Sequence, residues 1–384
     1  MTAATEQAAT PKSGAKSAIT LSNLKHALKV VSAAVDAKTT IPVLSCVRIE
    51  QQDAGLAIEA SNLDLSIRTI MQELGGPAAP IVIPADKLTA WAKLLDGDDV
   101  TISATDSRAT VKCGRARAVL PVLAASNWPQ CDAFKLDVDG ITLTQGDFAR
   151  ALGFALGSVS NEEGRFTLNG VQIEGDGTSL KFVSTNGHSM TVYTIPSAEK
   201  INLLAPTRLI KAFLPLLTDE NGGFDLYFND KAILAKIDGD TKVLMASPRM
   251  AGTFPKWQMV LPKTEDRAVV TVNAAEMLGS VERAALLADD TCRVVLNFSP
   301  DDDHITIEAS SSQAGESEEY VTCTGRAEKV LKIGANPAYL VNLCKRITGE
   351  IRIVLPKDNG SALLFHAQPH EGESVEYVVM PMRV

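Results

Sequence analysis

Three stretches of the chain open with the same short strand signal and continue with a helical period. Residues 19–21 and 141–143 both read I-T-L, and residues 270–272 read V-T-V. After each, apolar residues recur at spacings of three and four, which places them on one helix face. The first face is Leu24, Leu28, Val31 and Val35. The second is Phe148, Leu152, Ala155, Leu156 and Val159, and the third is Met277, Val281, Ala284 and Ala288. Short alternating segments follow each helix, and their period of two predicts strands. They are 43–49, 56–60 and 65–71, then 167–173, 180–184 and 190–195, then 294–298, 305–309 and 319–324, with Gly, Asp and Asn clustered between them as turns.

Each unit then repeats its own plan. I-V-I-P at 81–84 leads to Leu88, Trp91 and Leu95. L-L-A-P at 203–206 leads to Ile210, Phe213 and Leu217, and L-K-I-G at 331–334 leads to Leu340, Leu343 and Ile347. A proline at a helix start supplies the right φ and loses no hydrogen bond, whereas Pro215 speaks against the last turn of the helix that begins near 206. The chain therefore reads as an α+β protein, six copies of strand, helix and strands paired into three domains. The expected domains are 18–138, 139–266 and 267–384, with loops 127–132 and 254–263 near the joints. Repetition at a fixed period implies that each unit buries a face against its neighbour. The last eight residues, Y-V-V-M-P-M-R-V, are apolar where a terminus is ordinarily polar. Residues 377–380 read as a strand that Pro381 ends. Two readings stand: a closing strand, or a segment whose Met380, Pro381 and Met382 leave the sheet and line an apolar groove.

Composition adds limits. The 384 residues are 45% hydrophobic, 22% charged and only 5% aromatic, with a net charge of −9. An acidic chain is not the usual footprint of a nucleic-acid binder, but the charges are unevenly placed. The six helical windows carry ten basic residues, Lys25, Lys29, Lys87, Lys93, Arg150, Arg208, Lys211, Arg283, Lys345 and Arg346, against four acidic ones, Asp86, Asp147, Glu276 and Glu282. A shared basic lining for a polyanion accounts for that segregation. No helix-turn-helix, zinc finger or aromatic stacking platform accompanies it, so binding would be to phosphates, independent of sequence and steeply salt-dependent.

Cys46, Cys113, Cys131, Cys292, Cys323 and Cys344 form no C-x-x-C pair and have no histidine at ligand spacing, which fits free thiols in a reducing cytoplasm. No apolar run approaches the roughly 18 residues a membrane helix needs. Residues 1–17 read as a disordered extension, neither a signal nor a transit peptide. His188, between Ser184 and Ser189, has no acid at a spacing that would orient it as a base. The acidic run 301–303 reads as a solvated turn. With no phosphate loop and no metal cluster, neither catalysis, nor a metal, nor a cofactor is expected.

The order and register of four motifs carry a resemblance. Y-V-V-M-P-M-R at 377–383, T-N-G-H at 185–188, L-N-G at 168–170 and F-P at 254–255 together resemble the bacterial DNA polymerase III β subunit family, the sliding clamps. The threefold unit extends that resemblance over residues 18–384. It implies three domains of the DNA-clamp fold, each with two helices packed on antiparallel sheets, forming half of a six-domain ring. Two chains would pair head to tail around duplex DNA without reading its sequence. The polymerase III α subunit, the clamp loader, other polymerases and repair proteins would dock a short linear motif in a groove. The resemblance places the groove at Leu168, Thr185, Gly187, His188, Met190, Pro255, Val260, Asn336, Tyr339, Val378, Val379, Met380, Pro381, Met382 and Arg383. A small apolar groove of this kind suits micromolar peptide binding, about −8 kcal/mol. DNA contacts carry over to Lys38, Arg165, Phe166 and Arg208, with Thr167 where a second aromatic is common. The ring joint carries over to Arg115 and Arg117 facing Glu316, Glu318 and Glu319, around Leu120, Leu286 and Leu287. Asn186, Ser189 and Met259 depart from the family pattern, which keeps a second reading open: a clamp-like variant with altered partner preference.

Overall fold

The computed structural model of the protein describes residues 18–73, 75–289 and 292–384; the expected N-terminal extension lies outside the described residues. The repeat read from the sequence is regular in space. Its first copy runs β1 (Ile19–Thr20), α1 (Leu21–Val31), β2 (Cys46–Gln52), β3 (Gly55–Ser61), β4 (Ser66–Met71), β5 (Ile81–Pro84), α2 (Ala85–Lys93), β6 (Asp99–Ala104), β7 (Arg108–Cys113) and β8 (Ala116–Pro121). The second runs β9 (Ile141–Thr144), α3 (Gln145–Ala155), β10 (Gly170–Gly175), β11 (Ser179–Thr185), β12 (Ser189–Pro196), β13 (Asn202–Pro206), α4 (Thr207–Phe213), β14 (Gly223–Phe228), β15 (Ala232–Ile237) and β16 (Thr241–Pro248). The third runs β17 (Val269–Asn273), α5 (Ala274–Ala285), β18 (Val294–Phe298), β19 (His304–Ser311), β20 (Gly315–Thr324), β21 (Leu331–Ala335), α6 (Pro337–Cys344), β22 (Glu350–Val354), β23 (Leu363–Ala367) and β24 (Ser374–Val379).

Three local expectations are corrected. The first predicted strand begins at Cys46, because Pro42 starts a 3-10 turn at Pro42–Ser45. Residues Glu163–Leu168 are also 3-10, so the strand expected from Thr167 begins at Gly170. Helix α4 ends at Phe213 and tightens into a 3-10 turn, as the missing N–H of Pro215 demands.

Strand pairing divides the chain into two compact units. One takes in the chain up to Leu143 together with Gly223–Pro248, the other Thr144–Gly222 together with Arg249–Val384. The first holds an antiparallel sheet of eight strands, ordered β5-β2-β3-β4-β16-β15-β14-β9, and a sheet of four, β1-β6-β7-β8. The second holds twelve strands, β13-β10-β11-β12-β24-β23-β22-β17-β20-β19-β18-β21. Its last four hang on by two pairs, Thr271↔Thr324 and Val272↔Cys323. Each helix lays its apolar stripe on strands of its own copy, α1 on β3 and β4, α3 on β11 and β12, α5 on β19 and β20. Leu24, Leu28, Phe148, Leu152, Met277 and Val281 are buried as their spacing requires. In the first unit the chain beyond β8 is pinned back by buried Glu59. That carboxylate accepts from the Trp128 indole at 2.9 Å and from Arg68 at 2.7 Å, while Arg68 lies 4.4 Å from the Phe134 ring centroid.

The C-terminal strand is not a closing edge. β24 lies between β23 and β12, with Ser189↔Val379 and Met190↔Val378 in register. Two-sided burial explains why Tyr377, Val378 and Val379 form an unbroken apolar run instead of alternating.

Candidate functional site

The register of β12 against β24 brings the turn 185–189 to the chain's end. Asn186 is the turn's organiser: its Oδ1 accepts from the His188 N–H at 2.9 Å and the Ser189 N–H at 2.8 Å. The Thr185 hydroxyl donates to the Ser189 carbonyl at 2.8 Å and accepts from the Gly187 N–H at 3.1 Å. Gly187 sits at φ 88, a left-handed conformation that costs other residues. Past Pro381 the tail is tied rather than frayed. Met380 N–H donates to the His188 carbonyl at 2.9 Å and Met382 N–H to the Gly334 carbonyl at 2.8 Å, while Arg293 Nη1 reaches the Arg383 carbonyl at 2.6 Å.

Beneath this turn and tail is an apolar cluster of Val183, Met190, Val192, Leu204, Phe254, Trp257, Val354, Leu364 and Val378. The Trp257 indole donates to Glu174 Oε2 at 3.2 Å, which fixes the 254–260 connector over the sheet. Leu168, Met250, Leu261, Val269 and Ala362 are half-buried against the cluster. The groove assignment is thereby sorted by depth. Leu168, Thr185 and Tyr339 are half-buried, Gly187, His188 and Pro255 are exposed, and Val260 is 53% exposed. Met380 is 42% exposed, with Pro381 and Met382 half-buried and Arg383 open. Met190, Val378 and Val379 are corrected: all three are buried and offer almost no surface to a ligand. Asn336 is committed as the N-cap of α6, accepting from Ala338 N–H at 2.9 Å. Met250, Leu261 and Ala362 pack against the cluster and were missed, because two come from the connector after β16 and one from the loop before β23, and no local period marks them. Ser189 is buried, and its hydroxyl donates to Ser158 Oγ at 3.2 Å.

The basic helices are partly neutralised from within the chain, which the net count could not show. Arg150 is held by Asp147, Glu220 and Glu373; its Nη2 lies 2.5 Å from Asp147 Oδ1 and 2.7 Å from Glu373 Oε1. Bonding to Glu373 raises the guanidinium's pKa still further. The Tyr193 hydroxyl donates to the same Glu373, and burial, followed by that carboxylate, pushes its pKa up. Arg150 is therefore a structural cation rather than part of a polyanion lining. Arg283 pairs with Glu319 at 2.5 Å and Lys345 with Glu282 at 2.9 Å. Lys29, Lys93, Arg208 and Lys211 are exposed. Of the assigned nucleic-acid contacts, Lys38 is exposed and Phe166 is 54% exposed. Arg165 pairs with Glu162 at 3.2 Å and donates to the Asn186 carbonyl at 3.4 Å, which sets it across the turn described above.

Of the residues assigned to a ring joint, Arg117 and Leu120 lie on β8 and Glu316, Glu318 and Glu319 on β20. β8 ends its four-stranded sheet, and its Arg115 and Arg117 neighbours are exposed while Leu120 is half-buried. Among the described residues, β20 has no ladder partner on one side from Gly315 to Thr322, because β17 meets its last two residues alone. Glu316 and Glu318 are exposed there, Glu318 accepting from the Tyr320 hydroxyl at 2.7 Å. Glu319 is already bound by Arg283. Leu286 is 79% exposed beyond α5, and Leu287 is half-buried. The Ser184 hydroxyl, four residues before His188, is buried and donates to the Ala155 carbonyl.

Comparison with known proteins agrees with the repeat. Three family models match in succession: the N-terminal domain of the DNA polymerase III beta subunit over residues 16–132, its central domain over 142–256 and its C-terminal domain over 258–383. The beta sliding clamp of Pseudomonas putida is 29% identical over 366 residues, covering 93% of this chain and 96% of its own. That of Pseudomonas aeruginosa is 27% identical over 365 residues, with 93% and 96% covered. A crystal structure of the Pseudomonas aeruginosa DNA polymerase sliding clamp aligns with a TM-score of 0.84 at 26% identity, covering 96% of this chain and 99% of the other. The chain belongs to the DNA polymerase III beta subunit family, the sliding clamps.

Proposed function

We infer that the protein is a processivity clamp: a head-to-tail homodimer that encircles duplex DNA and tethers the replicative polymerase through a linear motif. Its role is non-catalytic, carried out in the cytoplasm, with loading left to a separate enzyme. Its domains are placed at 18–138, 139–266 and 267–384. The observation that carries the dimer is strand bookkeeping. Each half-copy ends on one strand, and two such ends already meet within the chain, β4 with β16 and β12 with β24. Both junctions join four strands to four. Among the described residues, β8 and β20 are the two half-copy ends that meet no other such end, and each has an open edge. A second copy supplies the missing partner for each, and an open edge of this length is otherwise an aggregation hazard. Leu286, Leu287 and Leu120 supply apolar burial, worth about 1.5–3 kcal/mol for a fully covered leucine, while the rim pairs contribute little.

Size-exclusion chromatography with light scattering tests the ring: the expected mass is twice the 40.9 kDa of one chain. Leu286→Asp is expected to give monomer at micromolar concentration. A parent protein that is monomeric there removes the ring. DNA binding is expected to be sequence-independent and to weaken steeply with salt.

One residue favours the reading of altered partner preference. Asn186 and Ser189 serve the turn and the core, but Met259 is 82% exposed beside Val260 at the rim. A labelled clamp-binding peptide would bind Met259→Lys and parent alike if the ordinary preference holds; a tenfold difference supports the variant reading.

A further inference from the structure

A cavity of about 250 Å³ in the second unit is lined by Asp266, Arg267, Ala268, Glu328, Lys329, Leu331, Leu355, Pro356 and Lys357. Three separate segments of the second unit line it: the connector before β17, the stretch leading into β21 and the loop after β22. Its floor is apolar, since Leu331, Leu355 and Pro356 are buried. Its walls carry three cations. Arg267 is half-buried, and its Nη1 is enclosed without a hydrogen-bond partner. Among the described residues, no carboxylate pairs with Arg267, Lys329 or Lys357 at ion-pair distance, although Asp266 and Glu328 share the lining. Asp358 feels Lys329, but Ser361's hydroxyl is the main cause of its lowered pKa and the lysine a smaller one.

A guanidinium taken out of water ordinarily finds an acceptor, and leaving one without is costly. Elsewhere in the chain Arg150, Arg283 and Lys345 are each paired with a carboxylate. Here three cations converge with two carboxylates, Asp266 and Glu328, and Arg267 Nη1 is left without an acceptor. At ~30 Å³ per water the cavity holds roughly eight waters. That is room for a tetrahedral or planar oxyanion with part of its hydration, against an apolar floor. Neutral water would fill the space but leave the excess of one cation in the lining unbalanced.

We propose that this cavity is an oxyanion-binding site in which Arg267, Lys329 and Lys357 hold a phosphate or carboxylate group. The planar fork of Arg267 suits two oxygens of either group, and the two exposed lysines add charge from the mouth. The ligand can be free phosphate or the acidic group of a bound molecule.

Isothermal titration of the full-length protein with inorganic phosphate, ionic strength held constant with NaCl, tests the site. Saturable binding of one phosphate per chain is expected, weakened about fivefold by each of Lys329→Gln and Lys357→Gln, the change for a unit charge ~4 Å away in water. Arg267→Met is expected to abolish saturation. Should that variant fail to fold, the two lysine variants decide, because both side chains are exposed. A parallel titration with acetate separates the sources. Saturation by both anions assigns a carboxylate-tolerant site, and saturation by phosphate alone assigns a phosphate site. No saturation by either anion to 50 mM, roughly the weakest affinity of use in a cell, or equal affinity in the lysine variants, overturns the proposal.

Discussion

Replacing Glu373 by alanine is expected to loosen the joint between α3, β12 and β24. Glu373 is 4% exposed. It accepts from Arg150 Nε at 3.0 Å and Nη2 at 2.7 Å, and from the hydroxyl of fully buried Tyr193. Its removal leaves a partly buried cation with less compensation and a buried hydroxyl without an acceptor. Breaking a buried ion pair costs about 3–5 kcal/mol. Arg150 retains Asp147 and Glu220, whose side chains are 41% and 64% exposed; each such surface pair is worth about 0–1 kcal/mol. The lower end, about 3 kcal/mol, is therefore expected. Glu373→Gln keeps an acceptor for Tyr193 and should cost about 1–2 kcal/mol. The chain is too large for a single two-state transition, so native-state hydrogen exchange read by mass spectrometry on β12 and β24 is the suitable assay. A loss of 3 kcal/mol corresponds to exchange roughly a hundredfold faster in those strands. A change of less than about threefold in the alanine variant would mean that Asp147 and Glu220 suffice, and that the buried carboxylate is not what holds Arg150.

Other outcomes follow from the same geometry. Burial lowers the pKa of His366 from its ordinary 6.5, with Glu376 opposing and Arg352 adding to the effect. The unfolded chain therefore takes up this proton first, so the stability His366 contributes is complete above about pH 6.5 and lost as pH falls through its folded pKa. His366→Gln should flatten the pH dependence of unfolding between about pH 7 and 5, and an unchanged slope would refute the assignment. Deleting residues 380–384 should abolish binding of a clamp-binding peptide and leave the dimer mass intact, since β24 ends at Val379; loss of both would make the tail structural. Gly187→Ala forces a Cβ into φ 88 and towards Arg165 Nη1, at about 1–3 kcal/mol, and should weaken peptide binding without altering the oligomer. Burial pushes the Cys344 thiol up to about 12, so mass spectrometry after iodoacetamide should find exposed Cys292 alkylated and Cys344 untouched until the protein unfolds.

Local order alone determined the six half-copies, their helix faces and most of their strands. A helix stripe or a strand alternation is written in neighbours three, four or two residues apart, and burial of Leu24, Phe148 and Met277 required nothing further. The turn at 185–188 was likewise legible, because Asn186 and Gly187 act on backbone within three residues. Tertiary structure decided everything that joins distant residues. Whether Tyr377–Val379 closed a sheet or lay inside one depended on β12, which no periodicity near the tail reveals. The sum of charges over six helices could not disclose that Arg150 is taken by Glu373, 223 residues away. Nor could it show that Met190 and Val378 belong to one buried cluster while Met250 and Ala362 pack half-buried against it. Side-chain period sets which face is apolar. Only long-range strand register sets which two faces, and which two charges, meet.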